Sequence, residues 1–310
     1  MAKKSKSIYI CSSCGHRLAS WVGKCPECNE WNTFEEQIDI KAAVLSSGAT
    51  LKAERVSEIK AITSTARLKT NNNDVDNVLG GGLVPGSVVL LAGQPGIGKS
   101  TILMQIADAL ASTTEVLYVS GEESSEQVAL RASRLNAKSD KLLVAASNST
   151  NEIAASISSG KYKLVIVDSI QTISCEEVSS AQGSVSQISN STQLLTLAAK
   201  NSGTALIIVG HVTKDGSIAG PKLLEHMVDV VLNIDGDRYG GFKVLRAVKN
   251  RYGSTEETAI FEMKDTGLSI VPNPSAELLK ERSVTDGSIV LATMEGTRPV
   301  LVEVQALVNV

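Results

Sequence analysis

From about residue 66 onward, short apolar runs alternate with helical stretches. The runs are rich in Val, Ile and Leu and lack a polar face, which is typical of parallel strands that are buried on both sides. Such runs occupy residues 87–91, 115–119, 163–167, 205–209, 230–234, 242–248 and 259–263. Helical patterns lie between them at residues 101–111, 125–135 and 189–201. The order strand, helix, strand predicts an α/β sheet covered by helices on both faces.

The pattern divides the chain into four parts. Residues 1–33 are turn-rich and contain four of the five cysteines and both tryptophans, which predicts a small separate module. Residues 34–65 are polar and alanine-rich, as in a linker, and residues 66–275 carry the α/β pattern. Residues 276–310 contain two strand-like runs around the turn sequence EGTRP. We expect this part to be the start of a further domain, since apolar sequence continues to the end of the chain.

Composition and charge narrow the class of partners. The net charge is −3 and the pI is about 5.8, so the chain as a whole lacks the basic character of many nucleic-acid-binding domains. A local basic patch without acids occurs in the first 24 residues, and a solvated terminus explains it equally well. Aromatic residues make up only 3%, which favours loop contacts to a phosphate backbone over base stacking. The basic residues of the patch are Lys3, Lys4, Lys6, Arg17 and Lys24.

No apolar run approaches the roughly 18 residues of a membrane span. The first residues contain lysines but no apolar core of a secretion signal. We therefore expect a cytoplasmic location without membrane contact.

Four cysteines have the spacing of a zinc module. Two Cys-x-x-Cys pairs separated by ten residues let four thiolates converge on one Zn²⁺. Each pair is followed by a turn residue, Gly15 or Asn29, as in zinc knuckles. Two disulfides are the alternative, which a cytoplasmic location disfavours. The predicted zinc ligands are Cys11, Cys14, Cys25 and Cys28.

One segment matches the P-loop pattern G-x-x-x-x-G-K-[ST] in full, between an apolar strand-like run and a helical stretch. The glycines let backbone N–H groups face phosphates, and the following helix presents its positive end to the same anion. Lys99 is expected to reach the β- and γ-phosphates of ATP, Ser100 to ligate Mg²⁺ and Thr101 to contact the α-phosphate. The predicted nucleotide-binding residues are Gly93, Gln94, Pro95, Gly96, Ile97, Gly98, Lys99, Ser100 and Thr101.

Acidic and polar residues at the ends of other strand-like runs supply candidate catalytic groups. Asp168 ends KLVIVD and is predicted to direct Mg²⁺, as a Walker B acid. Glu122 follows EVLYVS and is our candidate for the base that activates water, with the adjacent Glu123 as the alternative. His211 ends ALIIVGH and is a candidate γ-phosphate sensor, and a structural histidine fits the pattern equally well.

The chain resembles a known family. The motifs VLGGGLVPGS, GQPGIGKST, YVSGEES, LVIVDSIQT, GHVTKDGSIAGPKLLEHMVD and VKNRYG, after the four-cysteine module, resemble those of the bacterial RadA (Sms) DNA repair proteins over residues 11–310. The resemblance implies a RecA-like DNA-dependent ATPase that forms a homohexameric ring and promotes branch migration in homologous recombination. It also implies that residues 276–310 begin a truncated Lon-protease-like domain.

The resemblance further implies roles for a basic motif. The family motif Lys-Asn-Arg-Phe-Gly appears here at residues 249–253, with Tyr252 in place of Phe, a mild change in buried ring area. In ring helicases such residues reach the γ-phosphate on the neighbouring subunit, so Lys249 and Arg251 become catalytic candidates. Without the resemblance, an exposed charged turn would explain the motif.

Two loops of a RecA-like ring would face DNA. They correspond to residues 174–187 and 213–222, where Lys214 and Lys222 are candidates for phosphate contacts. A flexible surface loop is the alternative for both. The implied partners are single-stranded DNA and recombination intermediates at the nucleoid, with a RecA-type recombinase as a further candidate. A nucleotide-gated DNA scaffold with little ATP turnover remains the alternative to a motor.

Overall fold

The computed structural model describes residues 7–38, 55, 67–211, 223–236, 241–280, 282 and 286–306. The four-cysteine module is a small antiparallel sheet of order β2-β1-β3. Its strands are β1 (Ser7–Cys11), β2 (Arg17–Leu18) and β3 (Phe34–Ile38). The pairing of β3 with the whole of β1 carries the module to Ile38, beyond the boundary placed at residue 33. The polar sequence FEEQI has the composition of a linker, and only its pairing with β1 makes it a strand.

The described part of the α/β region contains one nine-stranded sheet of order β12-β11-β10-β9-β4-β8-β7-β5-β6. The strands from β9 to β6 in this order are parallel, and β10, β11 and β12 add an antiparallel edge. The strand bounds are β4 (Val88–Gly93), β5 (Val116–Ser120), β6 (Leu142–Ala146), β7 (Leu164–Asp168), β8 (Ala205–His211), β9 (Val230–Gly236), β10 (Phe242–Asn250), β11 (Thr258–Lys264) and β12 (Gly267–Ile270).

Helices cover both faces of this sheet, as the pattern predicts. Alternate residues of β4 show the two faces: Val89 and Leu91 belong to one apolar core, Val88 and Leu90 to the other. The first core includes α1, α2 and Val128 of α3, and the second includes α4, α5 and α6. The helix bounds are α1 (Asn73–Val78), α2 (Lys99–Ala111), α3 (Ser125–Arg134), α4 (Thr150–Ser158), α5 (Val185–Ser202), α6 (Leu223–Met227) and α7 (Pro274–Leu278).

The structure differs from the sequence pattern in several places. The pattern does not predict the helices α1, α4 and α7 or the strands β6 and β12. Among the described residues, β6 is a half-buried edge strand that pairs with β5 alone. The predicted loop at residues 174–187 ends earlier, since Ser184 caps α5 by accepting a hydrogen bond from the Gln187 backbone N–H at 3.3 Å. Most observed strands also extend one or two residues beyond the predicted runs.

The last described residues form a hairpin of β13 (Ser288–Glu295) and β14 (Arg298–Gln305). Gly296 turns it with a left-handed backbone (φ 63°). The hairpin is tied to the sheet domain by an ion pair between Arg298 and Asp74 at 3.1 Å and by Thr258, whose hydroxyl donates to the Glu295 carbonyl. Within the described residues, no helix is both long and apolar enough to cross a bilayer.

Candidate functional site: a P-loop cavity, a basic motif and a four-cysteine centre

The P-loop joins the end of β4 to the start of α2. Gly96 and Gly98 have left-handed backbones, with φ of 75° and 113°. A Cβ on Gly98 would lie 2.9 Å from Met263 Cε, the movable end of a flexible side chain. The left-handed backbone is therefore the requirement that selects glycine at Gly98. The loop therefore presents backbone N–H groups at the N-terminus of a 13-residue helix, which is a favourable place for an anion.

Lys99 lies inside this loop and is 5% exposed. Its Nζ donates hydrogen bonds to the carbonyl oxygens of Gly93 at 2.8 Å and Gln94 at 3.0 Å. Burial lowers the pKa of Lys99, while the negative charges of Asp168 and Glu122 act in the opposite direction. The ammonium group is thus held at the phosphate-binding loop with two carboxylates nearby.

Asp168 ends β7 and is buried beside the P-loop cavity. Its Oδ2 accepts a hydrogen bond from the Tyr118 hydroxyl at 2.5 Å, and Arg131 Nη2 donates to the same hydroxyl at 3.2 Å. Burial and the Asp168 charge raise the pKa of Tyr118. The fold thus brings the two predicted magnesium ligands, Ser100 and Asp168, to one cavity.

Glu122 and Glu123 have different partners. Glu122 Oε1 accepts a hydrogen bond from the Ser169 hydroxyl at 2.8 Å. Glu123 forms a 2.5 Å ion pair with Arg131. Because Glu123 is held against the guanidinium group, its carboxylate is less suited to accept a proton from water. This difference favours Glu122 as the base.

These side chains surround one cavity of about 440 Å³. Its composition suits a nucleotide triphosphate with a divalent cation: a loop of N–H groups, one lysine, a hydroxyl, and carboxylates at two strand ends. The lining residues are Pro95, Gly96, Gly98, Lys99, Ser100, Thr101, Ser120, Glu122, Glu123, Arg131, Arg134, Asp168 and Met263.

Sequence reasoning missed four residues that line this cavity, Ser120, Arg131, Arg134 and Met263. It also missed Tyr118 and Ser169, which bond to the acids Asp168 and Glu122. The polar hydroxyl of Tyr118 in the buried run VLYVS is the one sign that could have indicated a partner, because buried phenol groups need one. Arg131 and Met263 come from α3 and β11, whose approach to the P-loop depends on the tertiary fold.

The structure places the other predicted residues as follows. His211 ends β8, and its backbone is opposite Gly93 in the sheet, so it lies beside the start of the P-loop. Its side chain lies outside the described part of the structure. Lys214 and Lys222 lie outside the described residues altogether.

The basic motif at residues 249–253 lies at the opposite end of the parallel strands, beside their first residues. Asn250 pairs with Val230, at the start of β9, whereas the P-loop follows the end of the neighbouring strand β4. Lys249 Nζ donates to the carbonyl oxygens of Glu225 at 2.6 Å and Val228 at 2.8 Å. Arg251 Nη1 forms a 3.2 Å ion pair with the buried carboxylate of Asp229. Since β4 alone spans about 16 Å, these cations are far from the cavity of their own chain.

The cysteine residues form a site that fits a tetrahedral metal ion. The four sulfur atoms all lie within 4.8 Å of one another, and the Cys11–Cys28 and Cys14–Cys25 Sγ distances are both 3.6 Å. Tetrahedral Zn–S bonds of about 2.3 Å place sulfur atoms about 3.8 Å apart. The backbones of Gly15 (φ 76°) and Asn29 (φ 63°) are left-handed, as the predicted knuckle turns require. These four cysteines would hold Zn²⁺ as a closed structural site.

The fifth cysteine is separate from this centre. Cys175 is buried, and its Sγ lies 2.9 Å from Glu177 Oε2. Burial and the Glu177 carboxylate raise the pKa of Cys175 to about 12, so it remains a protonated thiol.

The parallel sheet, the P-loop cavity and the acid at the end of β7 define the class of protein: a P-loop ATPase with a RecA-like core. An AAA domain family model matches residues 53–217, and a rubredoxin metal binding domain model matches residues 9–36. DNA repair protein RadA from Listeria monocytogenes is 49% identical over 316 residues, covering 100% of this chain and 69% of the relative. The RadA proteins of Bacillus subtilis (48%) and Pseudomonas aeruginosa (47%) match 99% of this chain and 69% of their own lengths. The chain belongs to this RadA family.

Solved structures agree on the fold. The RadB recombinase, at 22% identity and a TM-score of 0.51, matches 66% of this chain and 99% of its own. The flagellar accessory protein FlaH from Methanocaldococcus jannaschii, at 16% identity and a TM-score of 0.52, matches 66% of this chain and 98% of its own. At these identities the likeness concerns the fold alone.

Proposed function

We propose that this chain is a DNA-dependent ATPase of homologous recombination and DNA repair, which works as a ring-shaped motor on single-stranded DNA and promotes branch migration of recombination intermediates. The observation that carries the proposal is the separation of the two halves of the site. The P-loop cavity lies at the carboxyl ends of the parallel strands, and the basic motif lies at their amino ends. The names of the RadA relatives supply the DNA repair context.

Separated halves require a second copy of the chain. In a head-to-tail arrangement, Lys249 and Arg251 of one copy would approach the cavity of the next, and a rotation that closes gives a ring. We propose a homohexamer. Because every site is then completed by its neighbour, hydrolysis is coupled to assembly.

Within one such site, Lys99 binds the β- and γ-phosphates of ATP, and Ser100 and Asp168 direct Mg²⁺. Glu122, which lines the cavity and accepts a hydrogen bond from the Ser169 hydroxyl, removes a proton from the attacking water. Arg251, together with Lys249, supplies positive charge to the γ-phosphate from the adjacent copy.

Movement on DNA would follow from the loops after β7 and β8. Both strands end beside the nucleotide cavity, at Asp168 and His211, so bound ATP can alter the loops that follow. The second loop contains the candidate phosphate contacts Lys214 and Lys222. The protein would thus act at the nucleoid, with a RecA-type recombinase as a candidate partner.

Steady-state ATP hydrolysis with and without single-stranded DNA tests the proposal. We expect DNA to stimulate the wild type, and Glu122→Gln to lower kcat by about 10²-fold or more, since it removes a general base. Glu123→Gln is the matched control and should retain most of the turnover, because Glu123 is held by Arg131.

One outcome would contradict the motor, and another would contradict the choice of base. ATP-dependent DNA binding with negligible turnover in all three proteins would indicate a scaffold. Equal losses in the two variants would remove the assignment of the base to Glu122.

A further inference from the structure

Asp229 is a buried carboxylate at the basic motif; it ends the sequence motif GHVTKDGSIAGPKLLEHMVD, but sequence reasoning gave it no role. It directly precedes β9 and is 2% exposed. Its Oδ2 accepts a hydrogen bond from the Val88 backbone N–H at 3.0 Å. Its Oδ1 is 3.2 Å from Arg251 Nη1 and 3.3 Å from Lys200 Nζ. The backbones are also joined, as Asp229 N–H donates to Val88 and Arg251 N–H donates to Asp229.

The burial of this charge indicates that its partners are essential to it. An ionised carboxylate out of contact with water is stable only when it is paired and hydrogen-bonded. Here both partner cations reach solvent, with the Arg251 side chain 53% exposed and that of Lys200 46% exposed. Asp229 therefore holds one side of the Arg251 guanidinium group, and the other side remains accessible to an incoming group.

The tyrosine of the motif responds to the same carboxylate. Burial and the Asp229 charge raise the pKa of Tyr252. Lys249, in contrast, is held separately by the Glu225 and Val228 carbonyl oxygens. Loss of the Asp229 charge should thus affect Arg251 before it affects Lys249.

The position of Val88 links this cluster to the nucleotide site. Val88 is the first residue of β4, and Gly93, the last, is also the first residue of the P-loop. Asp229 is therefore bonded to the far end of the strand that carries the P-loop. The central strand β4, paired on both sides, thus joins the basic motif at one end to the P-loop at the other.

We propose that Asp229 is a positioning residue that aims Arg251 at the nucleotide of the neighbouring copy and anchors it to the P-loop strand of its own chain. The inference rests on the proposed function, because it requires Arg251 to act on a second copy. Asp229 itself is buried, so its proposed effect on the nucleotide acts through Arg251.

Kinetics of Asp229→Asn give the first test. The amide has the same shape and can still accept from Val88, but it leaves Arg251 and Lys200 without a counter-charge. We expect kcat for ATP to fall about tenfold or more with KM little changed, since an arginine acting in the transition state contributes to kcat. Asp235→Asn, at the exposed end of β9, is the matched control and should retain the wild-type rate.

Mixing of variants separates positioning from a structural role. Arg251→Ala and Asp229→Asn keep intact P-loop cavities, whereas Glu122→Gln keeps an intact Arg251. Mixed with Glu122→Gln in equal amounts, each should regain activity, because about a quarter of the interfaces then pair a good cavity with a good arginine. Asp229→Asn should also add no further loss of kcat to Arg251→Ala, since the two act through one group.

The outcomes distinguish the action of Arg251 on a neighbouring copy from the positioning role of Asp229. If Arg251→Ala with Glu122→Gln shows no recovery, the action of Arg251 on a neighbour is wrong, and the inference falls with it. If that pair recovers but Asp229→Asn with Glu122→Gln does not, Asp229 serves its own chain and the positioning role is overturned. Additive losses in the double variant would overturn it as well.

Discussion

At the scale of single residues, the nucleotide cavity depends on contacts between side chains from distant parts of the chain. The Tyr118 hydroxyl lies between the Asp168 carboxylate, to which it donates, and Arg131, from which it accepts. Arg131 in turn holds Glu123. Tyr118 thus orients the acid that is predicted to direct Mg²⁺ and connects it to the guanidinium group on α3.

Tyr118→Phe tests this connection. We expect the Mg²⁺ concentration for half-maximal ATP hydrolysis to rise by about tenfold, since partners of metal-directing groups typically contribute that much. The free energy of unfolding should fall by about 1–3 kcal/mol because a buried carboxylate loses a hydrogen bond. Magnesium titrations and denaturant unfolding measure the two effects.

Tyr162→Phe is the control, because Tyr162 packs against the core on the other face of the sheet. An unchanged magnesium dependence in Tyr118→Phe would show that Asp168 needs no orientation by the phenol group.

At the scale of elements, the four-cysteine module contacts the ATPase domain through β3. The Ser186 hydroxyl donates to the Glu36 carbonyl at 2.5 Å, and the Ser179 hydroxyl donates to the Glu36 carboxylate at 2.8 Å. Ser179 lies in the loop after β7, and Ser186 lies in the first turn of α5. The module therefore contacts the segment between β7 and α5, which leads away from the nucleotide cavity.

Removal of zinc should unfold this module alone. Its core consists of little more than Cys11, Cys25 and Phe34, which is too small to be stable without a metal. With a strong chelator, or in Cys28→Ser, we expect trypsin to cleave rapidly after Arg17 and Lys24, as mass spectrometry would show. Far-UV circular dichroism should change little, since the nine-stranded sheet has two large cores of its own.

The matched control is Cys175→Ser, which removes a cysteine outside the metal centre and should leave both tryptic sites protected. Protection of Arg17 and Lys24 after complete loss of zinc would contradict a metal-dependent fold.

At the scale of the whole molecule, the proposed function assigns complementary roles to the two ends of the parallel strands. The same strand order that presents the P-loop at the ends of the parallel strands puts the basic motif at their beginnings. Activity per subunit is then a property of the assembly.

Turnover per subunit should therefore rise with protein concentration in the wild type. Arg251→Ala should stay about 10³-fold lower at every concentration, because assembly can no longer supply the arginine. Arg246→Ala, on the strand β10 that directly precedes Arg251, but paired with Asp235 and Glu295, should follow the wild type. Normal hydrolysis by Arg251→Ala at high concentration would show that the site is complete within one chain.

Much of this organisation could be predicted from the amino-acid sequence. The P-loop, the cysteine spacing and the buried parallel strands are local patterns, because each depends on residues a few positions apart. The left-handed turns at Gly15 and Asn29 and the helices on both faces agree with those predictions. The motif set was also sufficient to indicate the RadA family.

Other features were decided only by the tertiary structure. The strand β3 exists through its pairing with β1, and β6 through its pairing with β5. Asp229 and Val88 are 141 positions apart, and Tyr118 and Asp168 are 50 apart. A local pattern carries no information on which strands become neighbours or which edge of the sheet a motif occupies, because these depend on long-range packing of the whole core. The sequence by itself therefore determined the chemical groups, and the fold decided that the P-loop cavity and the basic motif lie at opposite ends of the parallel strands.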